Sequence, residues 1–315
     1  MENVQGKTAF ITGGAAGMGL GMAKAFLKAG MNVVIADVRE DVLKEAVAEL
    51  GGSNRVYAVK LDVTDREDWA RAADEAEKAF GPVHVLVNNA GVGVVGSMKD
   101  ATWQDWDFCM GVNLGGVING VQTFVPRMLA HGQGGHIVNN SSQSGVFASG
   151  QAGIYITSKM AVSGLSEALA SDLKYDNIGV SVYFPGPVQT NLNVSTGATR
   201  PDHLKNPDDE ERRAAAQRAM AARAHRPANA ADTFMTKEEV GERVLRGIRR
   251  GDLFIFSHPE FKDGVQARHD AMMRAYPDEP INDERKEALK AFGTLLHNPI
   301  YDGQAEVPGF EPENG

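Results

Sequence analysis

A short β-rich run, residues 7–12, ends in Thr12-Gly13-Gly14-Ala15-Ala16-Gly17-Met18-Gly19, and beyond it Leu20, Ala23, Phe26 and Leu27 recur at helical spacing. The glycines therefore stand at a strand-to-helix turn. Glycine allows positive φ and close backbone approach, and a helix N-terminus offers unpaired N–H groups and a favourable dipole to an anion such as a pyrophosphate. The same alternation continues down the chain. Strand-like runs at 32–36, 55–61, 83–87, 135–140 and 179–184 are separated by helical patterns at 41–50, 65–80 and 102–131 and around Tyr155. Strands spaced by helices of this length imply an α/β fold with a parallel sheet covered on both faces, which binds its ligand across the carboxyl ends of the strands.

Several polar residues fall at those ends. Asp37 follows the second strand, 18 residues past Gly19, where a carboxylate binds a ribose 2′-hydroxyl. A 2′-phosphate would meet a like charge there, which favours NAD over NADP, although Arg39 two residues on could swing toward a phosphate. Asp62 and Val63 follow the third strand and are expected to face the adenine; Asp62 is equally a cap for the next helix, with Thr64 or Asp65 as rivals. The fourth strand delivers Asn88-Asn89-Ala90-Gly91.

Chemistry concentrates around Tyr155-Ile156-Thr157-Ser158-Lys159. On a helix, residues four apart share a face, so the Lys159 ammonium can act on the Tyr155 phenol. A free tyrosine titrates near ~10, and work near neutral pH requires its phenolate to be favoured by ~4 kcal/mol, the direction in which a nearby cation acts. Ser142, at the end of the 135–140 strand, can hold a substrate oxygen, and Ser144 is a candidate second contact. Asn113 lies inside the long 102–131 helical pattern, where an amide competes for backbone hydrogen bonds; a kink, a bound water or a polar relay is expected there. Pro185-Gly186-Pro187-Val188-Gln189-Thr190 forms a rigid turn after another strand, with Thr190 placed to bond a cofactor carboxamide.

Charge and composition remove other classes of partner. Lys plus Arg is 32 and Asp plus Glu 41, a net charge of −9, which argues against a nucleic-acid or anionic-membrane surface. Cys109 is the one cysteine, so no internal disulfide framework exists, and no Cys/His spacing suggests a metal. No run reaches 18 apolar residues, and no basic region with a long apolar core precedes the first strand. A cytoplasmic protein with a small-molecule partner, no nucleic acid, no membrane and no metal is expected.

Taken together, Thr12-Gly13-x-x-x-Gly17-x-Gly19, Asn88-Asn89-Ala90-Gly91, Asn113, Ser142, Tyr155-x-x-x-Lys159 and Pro185-Gly186-Pro187-Val188-Gln189-Thr190 resemble the short-chain dehydrogenase/reductase family over residues 6–257. The resemblance implies a doubly wound, seven-stranded parallel Rossmann sheet with NAD as cofactor. Gly13, Gly17, Met18 and Gly19 would lie under the pyrophosphate and Asp37 on the adenine ribose. Asn89 and Gly91 would lie beside the cofactor, with Pro185, Gly186, Val188 and Thr190 at the nicotinamide. Asn113, Ser142, Tyr155 and Lys159 would form the catalytic tetrad, with Lys159 keeping the phenol acidic and binding the nicotinamide ribose, and Asn113 positioning a water. His84 departs from the Asp usual before the Asn-Asn-Ala-Gly turn, which puts one supporting contact in question.

Residues 191–233 turn polar, Arg-rich and Ala-rich. Asn206-Pro207-Asp208-Asp209 begins a helix that His225-Arg226-Pro227 ends, and its weak apolar face of Ala214, Ala215, Ala219, Met220 and Ala222 suits a lid inserted in a single catalytic domain, 1–257. Thr236-x-x-Glu239 is a capping box before a core helix that leads to a final strand at 253–256. Residues 258–315 form a helical extension, expected to carry Phe261, Val265, Met272 and Met273 on one amphipathic helix and Ala288, Phe292, Leu295 and Leu296 on another. This extension would pack on the same domain or reach a neighbouring subunit.

The layout further resembles a bacterial subgroup that contains lignin-derived β-aryl ether Cα-dehydrogenases, which oxidise a benzylic secondary alcohol. The expected activity is thus hydride transfer between a bulky lipophilic or aromatic secondary alcohol and NAD, with Tyr155 as general base and acid, in a homodimer or homotetramer. The competing readings are a ketone reductase for a steroid, terpenoid or 3-oxoacyl compound and a non-catalytic dinucleotide-binding protein.

Overall fold

The computed structural model describes residues 1–309 other than 149, 151, 209, 213, 216, 217 and 219–232. The expected lid positions Ala219, Met220, Ala222 and His225 to Pro227 lie outside the described residues. Strands β1 (Thr8–Thr12), β2 (Asn32–Asp37), β3 (Val56–Lys60), β4 (Val83–Asn88), β5 (Gly135–Asn140), β6 (Ile178–Phe184) and β7 (Phe254–Phe256) form one sheet in the order β3-β2-β1-β4-β5-β6-β7. Every pairing is parallel, as the Rossmann expectation required. The order reverses between β1 and β4, and the crevice beyond their carboxyl ends is where a doubly wound sheet takes its ligand.

Helices cover both faces. Helices α1 (Gly17–Lys28), α2 (Glu40–Glu49) and α8 (Lys237–Arg250) lie over one face, with Leu20, Phe26, Leu43, Val240 and Ile248 in its core. Helices α3 (Arg66–Phe80), α5 (Gly116–His131) and α6 (Gly153–Asp172) cover the other, where Trp69, Phe10 and Phe124 cluster. Strands buried on both faces read as near-continuous apolar runs, and β1 and β4 are buried at every position. Of the rival caps for α3, Asp65 is the one used, accepting from the Glu67 and Asp68 N–H groups; Asp62 instead accepts from the Thr64 N–H. The Thr236/Glu239 capping box opens α8 as expected.

The long helical pattern is interrupted where Asn113 predicts a disturbance. Helix α4 (Trp103–Met110) passes through a π turn at Gly111–Gly115 into α5. By length and hydropathy the Trp103–His131 stretch would suffice for a membrane span, yet here it packs against α3, α6 and β4. His84, where the family usually has Asp, accepts the Thr8 N–H at Nδ1 at 3.2 Å, and its Nε2 meets Gln133 Oε1 at 3.0 Å. After β7 come α9 (Lys262–Arg274) and α10 (Asp283–Lys290), with α7 (Leu192–Thr199) earlier, after the Thr190 turn. The second extension helix is shorter than expected. Gly293, at φ +71°, lies just beyond it in the left-handed region, and Phe292, Leu295 and Leu296 fall in exposed turns past its end.

Candidate active site

The glycine turn is built around contacts that only glycine admits. Gly13 and Gly17 have φ of +58° and +51°. A Cβ on Gly13 would stand 3.0 Å from the Ala90 Cα, and one on Gly19 would overlap the Gly13 carbonyl. Thr12 and Asn89 lock this turn to the end of β4: Thr12 Oγ1 accepts from the Asn89 and Ala90 N–H groups at 2.9 and 3.0 Å, and Asn89 Nδ2 donates to the Thr12 carbonyl at 2.9 Å. Asn140 Nδ2 in turn donates to Asn89 Oδ1, so β5 joins the same bracket.

A cleft of about 890 Å³ opens over this bracket, lined by Gly13, Gly17, Met18, Asp37, Asp62, Val63, Asn89, Gly91 and Thr190 from the expected set. Asp37 is buried, and its Oδ1 accepts from the Arg39 backbone N–H at 3.1 Å and Nε at 3.4 Å. The left-handed glycines, the open helix N-terminus and a buried carboxylate at the far end fit a dinucleotide. Gly19 is not in the lining; it packs behind the turn. Pro185, Gly186 and Val188 also lie outside it, with Val188 bridged to Met235. Val38, Val42, Leu192, His203 and Leu204 line the cleft without having been expected. Only the adjacency of Val38 and Val42 to Asp37 could have signalled part of this wall. The 192–204 portion arrives through tertiary packing, in which the Gly93 N–H donates to Thr196 Oγ1 at 2.8 Å.

The four residues expected as a tetrad also lie outside the lining, with Asn113 and Lys159 buried next to Gly91. A Cβ on Gly91 would stand 3.4 Å from Asn113 Oδ1 and 3.6 Å from Lys159 Nζ. Lys159 Nζ donates to the Asn140 carbonyl at 2.8 Å and lies 5.7 Å from the centroid of the Tyr155 ring. Ser142 lies close enough to the Tyr155 phenol to lower it, and its hydroxyl accepts the Ser144 N–H at 3.1 Å. Ser144 thus orients Ser142 through its backbone. Asn113 spends its amide on the protein: Oδ1 accepts from the Val92 N–H at 2.8 Å, and Nδ2 donates to the Val92 carbonyl and to Ser158 Oγ, both at 3.0 Å. The side chain therefore staples the Val92 loop to the π turn.

Electrostatics depart from the simple expectation. Burial pushes the Tyr155 phenol up, and the Ser142 hydroxyl offsets part of this rise, so the net direction is upward and not toward phenolate. Burial also lowers the Lys159 ammonium to about 8. An amine titrating near 8 can carry or release a proton in the working pH range.

Comparison with known proteins agrees with the fold. A family model described as short chain dehydrogenase matches residues 7–201. A C alpha-dehydrogenase of Sphingobium sp. (strain NBRC 103272 / SYK-6) is 37% identical over 299 residues, covering 93% of this chain and 95% of that protein. An NADP-dependent (R)-specific alcohol dehydrogenase of Lentilactobacillus kefiri is 37% identical over 193 residues, 61% of this chain and 77% of that one. Among solved structures, a short chain dehydrogenase/reductase from Burkholderia phymatum in complex with NAD superimposes with a TM-score of 0.80 at 33% identity, covering 90% of this chain and all of the other.

Proposed function

The chain belongs to the short-chain dehydrogenase family and is an oxidoreductase with a nicotinamide dinucleotide cofactor, and we propose that it oxidises a bulky aromatic secondary alcohol with NAD⁺, with Tyr155 as general base. The observation that carries the reading is the proximity of Ser142 and Lys159 to Tyr155, with Lys159 next to Gly91 in a cleft whose lining also includes the buried Asp37 carboxylate. NAD⁺, held by the glycine turn, Asp37 and Thr190, supplies the hydride acceptor. Ser142 holds the substrate oxygen by hydrogen bond, and Tyr155 takes the hydroxyl proton as the carbinol carbon is oxidised. Lys159 stabilises the phenolate so formed. Asn113, its amide committed to Val92 and Ser158, contributes to proton exit through the main chain of its π turn.

A benzylic alcohol, including a lignin-derived β-aryl ether, is the substrate class we favour, because the likeness to the C alpha-dehydrogenase runs across the lid segment and the C-terminal extension as well as the sheet. NAD is favoured over NADP by the Asp37 carboxylate. Residues 1–257 act as one catalytic unit in the cytoplasm with the insertion after Thr190 as the substrate lid, the C-terminal extension packs on that unit or on a neighbouring subunit, and the assembly is a homodimer or homotetramer.

The test is NADH formation at 340 nm over benzylic β-aryl ethers, steroid alcohols and 3-hydroxy esters, on wild type and Tyr155→Phe. Turnover of the benzylic group alone, lost by about 10³-fold in the variant with NADH binding retained, is the expected result. A preference for NADPH and ketones would replace this reading with the reductase, and NADH binding without any turnover would replace it with a binding protein.

A further inference from the structure

The Pro185-Gly186-Pro187 turn is clamped from two sides. In front, the Gln143 backbone N–H donates to the Pro185 carbonyl at 3.0 Å and Gln143 Nε2 to the Phe184 carbonyl at 3.2 Å, so the turn is tied to the loop that carries Ser142. Behind it stand Ser257 and the first residues of the C-terminal extension. The Gly186 N–H donates to Ser257 Oγ at 3.0 Å, and the single proton of that hydroxyl lies between the Phe184 carbonyl at 3.2 Å and His258 Nδ1 at 2.6 Å. The His258 ring also sits beside the Pro187 carbonyl. A Cβ on Gly186 would stand 2.6 Å from His258 Nδ1 and 2.8 Å from a ring carbon of Phe261, so two aromatic rings press directly on the turn's backbone. Phe261 then reaches the Ser142 loop as well, its ring centroid 6.1 Å from that of Phe147.

We propose that His258 is a positioning residue for the hydride-transfer end of the site: through Ser257 and its packing against Gly186 it holds the turn leading to Val188 and Thr190 in register with the loop carrying Ser142. The proposal rests on the reading of that turn as the nicotinamide end. His258 touches no reacting atom; it acts through the backbone of residues 184–187. The start of the extension thereby buttresses the reactive end of the site from behind. Because small displacements of reacting groups cost rate steeply while the adenine end stays seated, the effect belongs in kcat and not in dinucleotide affinity.

The experiment compares full-length wild type, His258→Leu and His258→Gln, since glutamine retains a donor and an acceptor and leucine neither. His258→Leu is expected to lower kcat by about 10- to 50-fold with the NADH Kd, read by fluorescence, within about 3-fold, and His258→Gln to recover to within about 3-fold of wild type. Hydrogen exchange without substrate supplies an independent readout: the peptide over residues 183–190 should exchange about 10-fold faster in His258→Leu, with β1 and β4 unchanged. Equal impairment of both variants, or exchange in 183–190 like that of wild type, overturns the proposal. Should His258→Leu not fold, Ser257→Ala takes its place, with the same exchange and kcat expectations and the same overturning results. A wild type that turns over no alcohol and binds no dinucleotide would refute the function proposed above, while the exchange comparison would still decide whether His258 clamps the turn.

Discussion

Asp105 and Arg200, 95 residues apart in the chain, meet at 2.9 Å with both side chains under a tenth exposed. Asp105 sits in the first turn of α4, and its two oxygens also accept from the Thr102 N–H, Asn206 Nδ2 and Arg212. Burial pushes the carboxyl up, but the Thr102 N–H and the Arg200 guanidinium outweigh it and hold the group below the usual carboxylate range. Three of these donors come from the segment that follows α7, which carries His203 and Leu204 to the cleft wall. The Arg200 Nε donates to the Leu204 carbonyl at 2.7 Å, and its guanidinium stacks 5.3 Å over Phe108.

Removing one partner of a buried pair leaves an uncompensated charge. Arg200→Met should therefore destabilise the protein by about 3 kcal/mol in urea denaturation. A loss below about 0.5 kcal/mol would mean that Arg212 and Asn206 alone satisfy Asp105.

Gly19→Ala tests the glycine turn. The new methyl would press on the Gly13 carbonyl and on Asn89 Nδ2, so the turn must shift. A shift of this kind costs about 1–3 kcal/mol, and NADH affinity should fall about tenfold or more while the circular dichroism spectrum is kept. Unchanged affinity would separate the turn from the dinucleotide.

Asp37→Ala should lower the ratio of kcat/KM for NAD⁺ to that for NADP⁺ by about 100-fold, because it removes the ribose acceptor and leaves Arg39 free of its 3.4 Å partner. A ratio that stays within about threefold would place cofactor choice elsewhere.

His136 sets a pH dependence of stability. Buried on β5 with Nε2 2.8 Å from Ser181 Oγ, it is held neutral, burial lowering it to about 3. Its folded pKa lies below the unfolded value of 6.5, so the unfolded chain takes up a proton first as the solution is acidified. The stability from the neutral ring is whole above pH ~6.5 and is lost as pH falls from there toward about 3, at up to roughly 1.4 kcal/mol per pH unit. His136→Gln should flatten the pH 4–6 stability profile by about one proton's slope; parallel profiles would show that carboxylates alone control acid unfolding.

The sheet, the glycine turn and the nearness of Lys159 to Tyr155 were legible because each rests on local chemistry. Alternating apolar runs, the Thr12 to Gly19 turn, and Tyr155 four residues from Lys159 all report on neighbours in sequence. Even the π turn was foreshadowed, since Asn113 interrupts an otherwise apolar helix. The phenol's upward shift was not legible, because it depends on how deeply Tyr155 and Lys159 are enclosed. Nor were Leu192, His203 and Leu204 on the cleft wall, because nothing in a polar, Arg-rich stretch reveals that its arginines converge on Asp105. The short end of the second extension helix follows from Gly293, a local signal outweighed in the sequence by the apolar spacing of Phe292, Leu295 and Leu296.

By itself the sequence determined the order of strands and helices and the strand-to-helix glycine turn, both of which periodicity and spacing encode within about thirty residues. Only the tertiary structure decided what surrounds them: the burial that sets the Tyr155 and Lys159 protonation equilibria, the Asp105 and Arg200 pairing, and the seating of His258 behind Gly186. These are long-range contacts between segments whose local sequences carry no mark of one another, and their energies depend on desolvation and distance, which exist only once the chain has packed.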